Sequence, residues 1–361
     1  MTATDRTTAG GTCHVFHAFE AGFSVDIESA ARSVAGAGRI GLATSDRNVA
    51  GADFESRPLR VSIEMAPIRL EHFEVMPRAH VTIFHFGAMS VRIDIALNGP
   101  AHALPELART LVSQSALRDA ARTVAQDMIG VLGNAIVRPA LSARCEDYMV
   151  FALLPNGDDL RAGLPDELLA RILRAEEGVL APEQVRDAVS ACTSYGNDDL
   201  TVIDWNGAVI VDRTPDDALS VLEFANVELI EMRWLDDRLD DALEEAFRTA
   251  GQSMRGARIL SVQTGRHTRR IAELQIDAAA LFESVNNALK LFGDQWLARL
   301  HQSATHRLHI DDYERSVLRK LEALDSIYEK LRDRQVQIRA ELLELVVIVL
   351  IALEMFVLMR S

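Results

Sequence analysis

Over the first two thirds of the chain, apolar positions come in short runs. Many alternate with polar ones, and Gly, Pro, Asn and Asp punctuate them. CHVFHAFE (13–20), RPLRVSIEM (57–65) and DYMVFAL (147–153) predict strands. AHVTIFHFGAMSVRIDI (79–95) predicts a hairpin turning at Gly87. DLTVIDWNGAVIVD (199–212) predicts a second hairpin, with Asn206-Gly207 at the centre of a two-residue type I′ turn. Runs with the helical period predict helices near 26–35, 103–113, 116–137, 166–176 and 182–192, and an acidic one over about 215–249. The fold class is therefore α+β, with mixed or antiparallel sheet. Strand, helix, hairpin and helix occur twice in that order, a pattern that fits an internal β-α-β-β-α duplication, with chance likeness of two hairpins as its rival.

The last third reads differently. Residues 269–300 carry a broad apolar face, and HQSATHRLHI (301–310) reads as a turn. Val317, Leu321, Leu324, Tyr328, Leu331, Gln335, Ile338, Leu342 and Leu345 then alternate spacings of four and three. Asp311 and Glu314 fit a capping box, so this helix is expected to start near 312. The two helices predict a long hairpin whose seam contacts either the preceding helix or another copy of the chain, with Gln335 as a polar register marker. The seam runs into 342–359, an eighteen-residue apolar segment that holds Glu344 and Glu354. At about 1.5 Å per residue it reaches roughly 27 Å, close to a hydrocarbon core of about 30 Å. One C-terminal transmembrane helix is expected. Lys330, Arg332, Arg334 and Arg339 precede it and Arg360 alone follows. That asymmetry points to a tail anchor in a bacterial inner membrane, with the bulk of the chain cytoplasmic. The expected organisation is a disordered tail (1–12), α+β units (13–143 and 144–256), a helical stalk (257–341) and the span (342–359).

Composition limits the partners. Of 361 residues, 38 are Lys or Arg and 53 are Asp or Glu, giving a net charge of -15, which argues against direct nucleic-acid binding. Cys13, Cys145 and Cys192 are far apart in sequence and in no C-x-x-C pair, so free thiols in a reducing compartment are expected. No apolar run precedes Cys13, so no signal peptide is expected.

Few motifs carry chemistry. Gly36 to Gly41 matches G-x-G-x-x-G, but a helix precedes it where dinucleotide binding needs a strand. Cys13 and His17 share one face of their strand and His14 takes the other, offering two metal ligands with nothing nearby to complete a set. His301, His306 and His309 crowd the expected turn. The acids Asp236, Asp237, Asp240, Asp241, Glu244 and Glu245 read as a solvated helix face. There is no phosphate loop, nucleophile elbow or metalloprotease motif, and no catalytic residue, cofactor or metal ligand is assigned. Glu354, an acid within the expected span, reads as an assembly determinant beside Leu321, Leu324, Leu331 and Gln335.

VLEFANVELIEMRWLDDRLDDAL (221–243), RSVLRKLEALDSIYEKLRDR (315–334) and ELLELVVIVLIALEMFVL (341–358) resemble blocks of the Required-for-Meiotic-nuclear-Division family over roughly 195–360. The resemblance implies a membrane-anchored, self-associating protein and no catalytic residues. The expected function is a self-assembling scaffold on the membrane, its partners lipid and further copies of itself. The alternative is a nucleotide- or metal-dependent enzyme with its site in the α+β region.

Overall fold

The computed structural model describes residues 8–36, 40–42, 57–70, 73–155, 164–254, 274–279, 282–283 and 295–360. Contacts divide the chain into two compact units: Met1–Arg233 with Ala280–Asp312, and Trp234–Ala279 with Tyr313–Ser361.

The first unit is built on a ten-stranded sheet. Its members are β1 (Thr8–Glu20), β3 (Ile40–Leu42), β4 (Leu59–Glu64), β5 (Arg69–Leu70), β6 (Phe73–Ile83), β7 (Ala88–Pro100), β9 (Glu146–Leu153), β10 (Ala191–Thr193), β11 (Leu200–Ile203) and β12 (Gly207–Val211). The order is β10-β11-β12-β9-β1-β7-β6-β4-β3, with β5 on β6. The pair β2 (Ser24–Val25) and β8 (Ile136–Val137) stands apart. Strand β1 begins at Thr8, inside the stretch expected to be a tail, and pairs antiparallel with both β7 and β9. The strands on either side of residue 143 thus share one sheet.

The expected duplication does not carry into the topology. Strand β1 is antiparallel to the last strand of its following hairpin, β7, whereas β9 is parallel to the corresponding β12. Two copies of one unit would share a pairing sense.

Alternation along the strands gives the sheet two faces. Cys13, Val15 and Phe19 of β1, Ile93 and Ile95 of β7, and Phe151 of β9 lie in the main core. That core takes in Ala30 and Val34 of α1 (Ile27–Gly36), Leu107 of α2 (Leu104–Ser113), Met128 of α3 (Ala116–Leu132) and Leu169 of α4 (Asp166–Arg174). A short α5 (Pro182–Ala188) packs on α4 through Ala188 and Ala170. On the opposite face Ala18, Phe84 and Ala88 meet Phe224, Val227 and Ile230 of α6 (Asp216–Met254), and α7 (Gln295–Arg307) lies against β10 and β11. The first unit is thus a three-layer helix–sheet–helix arrangement.

The two hairpins differ in how they turn. Gly87 sits at φ 102°, and a Cβ there would come within 1.9 Å of the Gly22 carbonyl oxygen, so only glycine fits. The other turn is not a two-residue Asn-Gly one. Ile203 pairs with Ala208, Asp204, Trp205 and Asn206 form the loop, and Gly207 already pairs with Met149. Gly207 is needed for close approach instead, since a Cβ would meet the Met149 carbonyl oxygen at 2.3 Å. The expected turn at 301–310 is largely helical, because α7 runs to Arg307, and the left-handed His309 (φ 58°) links it to α8 (Ile310–Arg360).

The second unit contains α6 from Trp234, a helical stretch at 274–279 and α8 from Tyr313. Leu235, Leu239, Leu274, Val317 and Leu324 are buried. Lys320 Nζ lies 2.7 Å from both Asp236 Oδ1 and Asp240 Oδ1, and Ser316 donates to Asp236 at 2.9 Å. Gln275 donates to Asp325 at 2.8 Å.

The expected transmembrane helix is corrected. Among the described residues no helix is long and apolar enough to cross a membrane. The tail anchor, the inner-membrane location and the lipid partner rested on that span and are corrected with it. The side chains of Leu331, Gln335 and Glu354 lie outside the described residues.

Candidate functional site

His17 is the polar exception on the apolar face of β1. It is 2% exposed, between Val15 and Phe19 of the main core. Strand register sets it directly across from Asp147 of β9, and its Nδ1 lies 2.8 Å from Asp147 Oδ1. Cys145, two residues before Asp147 and on the same face by alternation, donates from Sγ to the same Oδ1 at 3.1 Å. Arg118 of α3 holds the other oxygen, with Nε 2.8 Å from Oδ2. Three potential ligand atoms, one each from His17, Cys145 and Asp147, lie within 4.8 Å of one another. The imidazole's other nitrogen, Nε2, is buried without a hydrogen-bond partner.

The electrostatics follow from these contacts. Burial alone would raise the Asp147 carboxyl, but His17, Arg118 and Cys145 outweigh it and hold the group well below the usual carboxylate range. Burial, reinforced by the neighbouring Asp147 charge, pushes the Cys145 thiol far above its ordinary value. A thiol held protonated and facing a carboxylate is a poor nucleophile, so this trio does not read as a cysteine-hydrolase site.

The opposite face holds further ionisable groups, most of them paired. His14 lies 2.8 Å from Asp94, with Arg92 at 3.1 Å and His80 at 3.7 Å from the same carboxylate. His80, with Glu64, Met65, Met76, Pro77 and Arg78, lines an open cavity of about 580 Å³ at the β4–β6 side. Glu20 of β1 and Glu231 of α6 are buried together, and burial, then the Glu20 charge and hydrogen bond, raises the Glu231 carboxyl. His301 of α7 meets Glu228 at 2.9 Å. Asp204 takes Arg174 at 2.7 Å and Arg307 Nε at 2.8 Å, and both arginines also reach Asp187. Most of these side chains pair with one another across the sheet–helix layer, the arrangement expected of structural polar networks.

The residues singled out from sequence scatter. Cys13 joins the main core, and His14 turns to the other face toward Asp94. His301, His306 and His309 do not converge: His301 is buried against Glu228, and His309 meets Asp312 at 3.1 Å. Part of the acidic face of α6 is answered by Lys320. Of the assembly residues, Leu324 is fully buried and Leu321 half-buried. The exposed apolar surface lies beyond them: Leu343, Leu345, Val346, Val347, Ile348, Val349, Leu350 and Ile351 are each 50–66% exposed. No sequence motif joins Cys145, Asp147 and Arg118 to His17. The available signal was that Cys145 and Asp147 share a face at the start of a predicted strand, but only the β1–β9 register brings them to His17.

Comparison with known proteins places the first unit. A family described as the N-terminal domain of the uncharacterized protein MJ0711 matches residues 10–218, which is more than half of the chain. Uncharacterized protein MJ0711 of Methanocaldococcus jannaschii is 23% identical over 189 residues, covering 52% of this chain and 57% of that protein. The chain therefore spans little more than half the length of this relative. No solved structure matches. The resemblance to the Required-for-Meiotic-nuclear-Division family is corrected accordingly. That resemblance rests on helical blocks in 195–360, whereas the matched family covers the sheet and its first helices. The chain belongs to the family of the uncharacterized MJ0711 N-terminal domain.

Proposed function

We propose that this protein is a self-assembling interaction protein whose contacts are made by the C-terminal half of α8. One observation carries this reading: eight apolar residues between Leu343 and Ile351, at every angle around the helix, each expose half or more of their surface. A helix apolar all round is stable only when surrounded. Half-burying each side chain contributes roughly 1 kcal/mol, so eight sum to about 8 kcal/mol before the costs of association.

The occupant is a second copy of this chain, or several. Among the described residues, α6 from 234 to 254 offers about 32 Å of helix to the second unit and 274–279 about 9 Å, against about 72 Å for α8 from residue 313. The heptad spacing that begins at Val317 continues through Leu342 and Leu345 into the exposed run, where it offers further copies a register. An enzymatic role gains no support from the Cys145 thiol, which is held protonated.

The experiment is co-purification. Two differently tagged full-length copies are co-expressed, one is captured, and the other is sought in the eluate. The reading expects near-stoichiometric recovery from wild type and loss of it when both copies carry Leu350→Asp. Recovery of the captured copy alone from wild type would overturn it.

A further inference from the structure

We propose that His17 Nδ1, Cys145 Sγ and Asp147 Oδ1 form a binding site for one zinc-type divalent cation, its fourth position left to water. The site is independent of the assembly reading.

The donor set carries the argument. Nitrogen, sulfur and oxygen from one His, one Cys and one Asp suit a borderline-soft, tetrahedral cation and suit calcium or magnesium poorly. The three atoms come from one rigid place. His17 and Asp147 are cross-strand partners, and Cys145 lies two residues from Asp147 on the same face. In tetrahedral geometry around zinc, neighbouring ligand atoms sit roughly 3.3–3.5 Å apart. Here they are drawn to 2.8 Å and 3.1 Å by two contacts that converge on one oxygen, Asp147 Oδ1. Opening each by about half an ångström makes room for a metal, a shift within side-chain reach. The cation then takes the place of the Cys145 proton, which leaves to solvent, and the ring proton of His17 passes from Nδ1 to Nε2.

Arg118 is a positioning residue. By holding Oδ2 it turns Oδ1 toward His17 and Cys145, leaving one carboxylate oxygen for the metal. The charge count favours binding. A thiolate and a carboxylate together neutralise a divalent cation.

The test uses the full-length chain and cobalt(II), whose bond to a thiolate gives an intense near-ultraviolet charge-transfer band. Titration should give that band with a stoichiometry of one. Cys145→Ser should abolish the band and weaken cobalt binding at least tenfold, and Cys192→Ser should leave both unchanged. Zinc should also slow alkylation of Cys145 in the wild-type protein at least tenfold, a readout that needs no variant to fold. Absence of the band and of zinc protection in wild type would overturn the proposal, as would a band that survives Cys145→Ser in a protein with native circular dichroism.

Discussion

Arg307, in the last turn of α7, donates from Nε to Asp204 Oδ1 at 2.8 Å across 103 positions of sequence. Asp204 is fully buried in the β11–β12 loop, and Arg174 of α4 takes its other oxygen. Burial still raises this carboxyl, so the two arginines only partly repay its desolvation. The pair ties a helix near the end of the first unit to the β10–β12 end of its sheet. Arg307→Met, which keeps the apolar stem and removes one counter-charge, should destabilise the protein by about 2–4 kcal/mol in urea unfolding. A change below about 0.5 kcal/mol would mean that Arg174 alone suffices.

The buried Glu20–Glu231 pair should make stability fall as pH rises. Burial, then Glu20, lifts the Glu231 carboxyl well above its ordinary value of 4.5, so the folded state keeps a proton that the unfolded chain has lost. The contribution is complete below 4.5 and declines as pH rises toward the folded value. Glu231→Gln keeps the hydrogen bond without the ionisation. It should flatten the melting temperature between pH 5 and pH 8 and stabilise the protein at the upper end by about 1–2 kcal/mol. A variant with the wild-type pH slope would show that another group dominates.

Gly87 should tolerate no side chain. Its φ of 102° and the 1.9 Å approach of the Gly22 carbonyl oxygen leave a Cβ no room. Gly87→Ala should cost at least about 2 kcal/mol, measured by chemical denaturation, whereas Gly130→Ala, with nothing within 4 Å, should be neutral or stabilising.

Leu324 and Val347 lie on the same helix and should respond differently to the same change. Leu324 is fully buried within the second unit, so Leu324→Asp should lower the unfolding temperature and cost several kcal/mol. Val347 is 53% exposed, so Val347→Asp should leave the fold's melting largely intact and reduce self-association. Equal loss of thermal stability in both variants would place Val347 in the folding core.

Local structure was legible in the sequence wherever a local cause set it. Gly87 marked its hairpin because only glycine takes that φ, and the helices at 104–113 and 166–174 lie within two residues of the periodicity that predicted them. What the sequence did not reveal was pairing. Nothing local says that β1 joins β9 antiparallel while β9 joins β12 in parallel, so one sheet read as two units. The same gap hid the cluster at His17, whose partners lie 128 and 130 positions away and become neighbours only through register. Asn206-Gly207 misled for a physical reason: the glycine answers to the Met149 carbonyl on the neighbouring strand, not to a tight turn. The first half of the expected heptad seam is covered within the chain through Val317 and Leu324.

The central claim is that the exposed end of α8 joins copies of this chain. Sedimentation equilibrium of the full-length protein over a hundredfold concentration range, beside Val347→Asp, tests it most directly. The wild type should fit a discrete multiple of the 39.8 kDa monomer, and the variant should shift toward 39.8 kDa at the lowest concentrations. A wild type that stays at 39.8 kDa throughout would contradict it, and so would a monomer in buffer that floats with lipid vesicles.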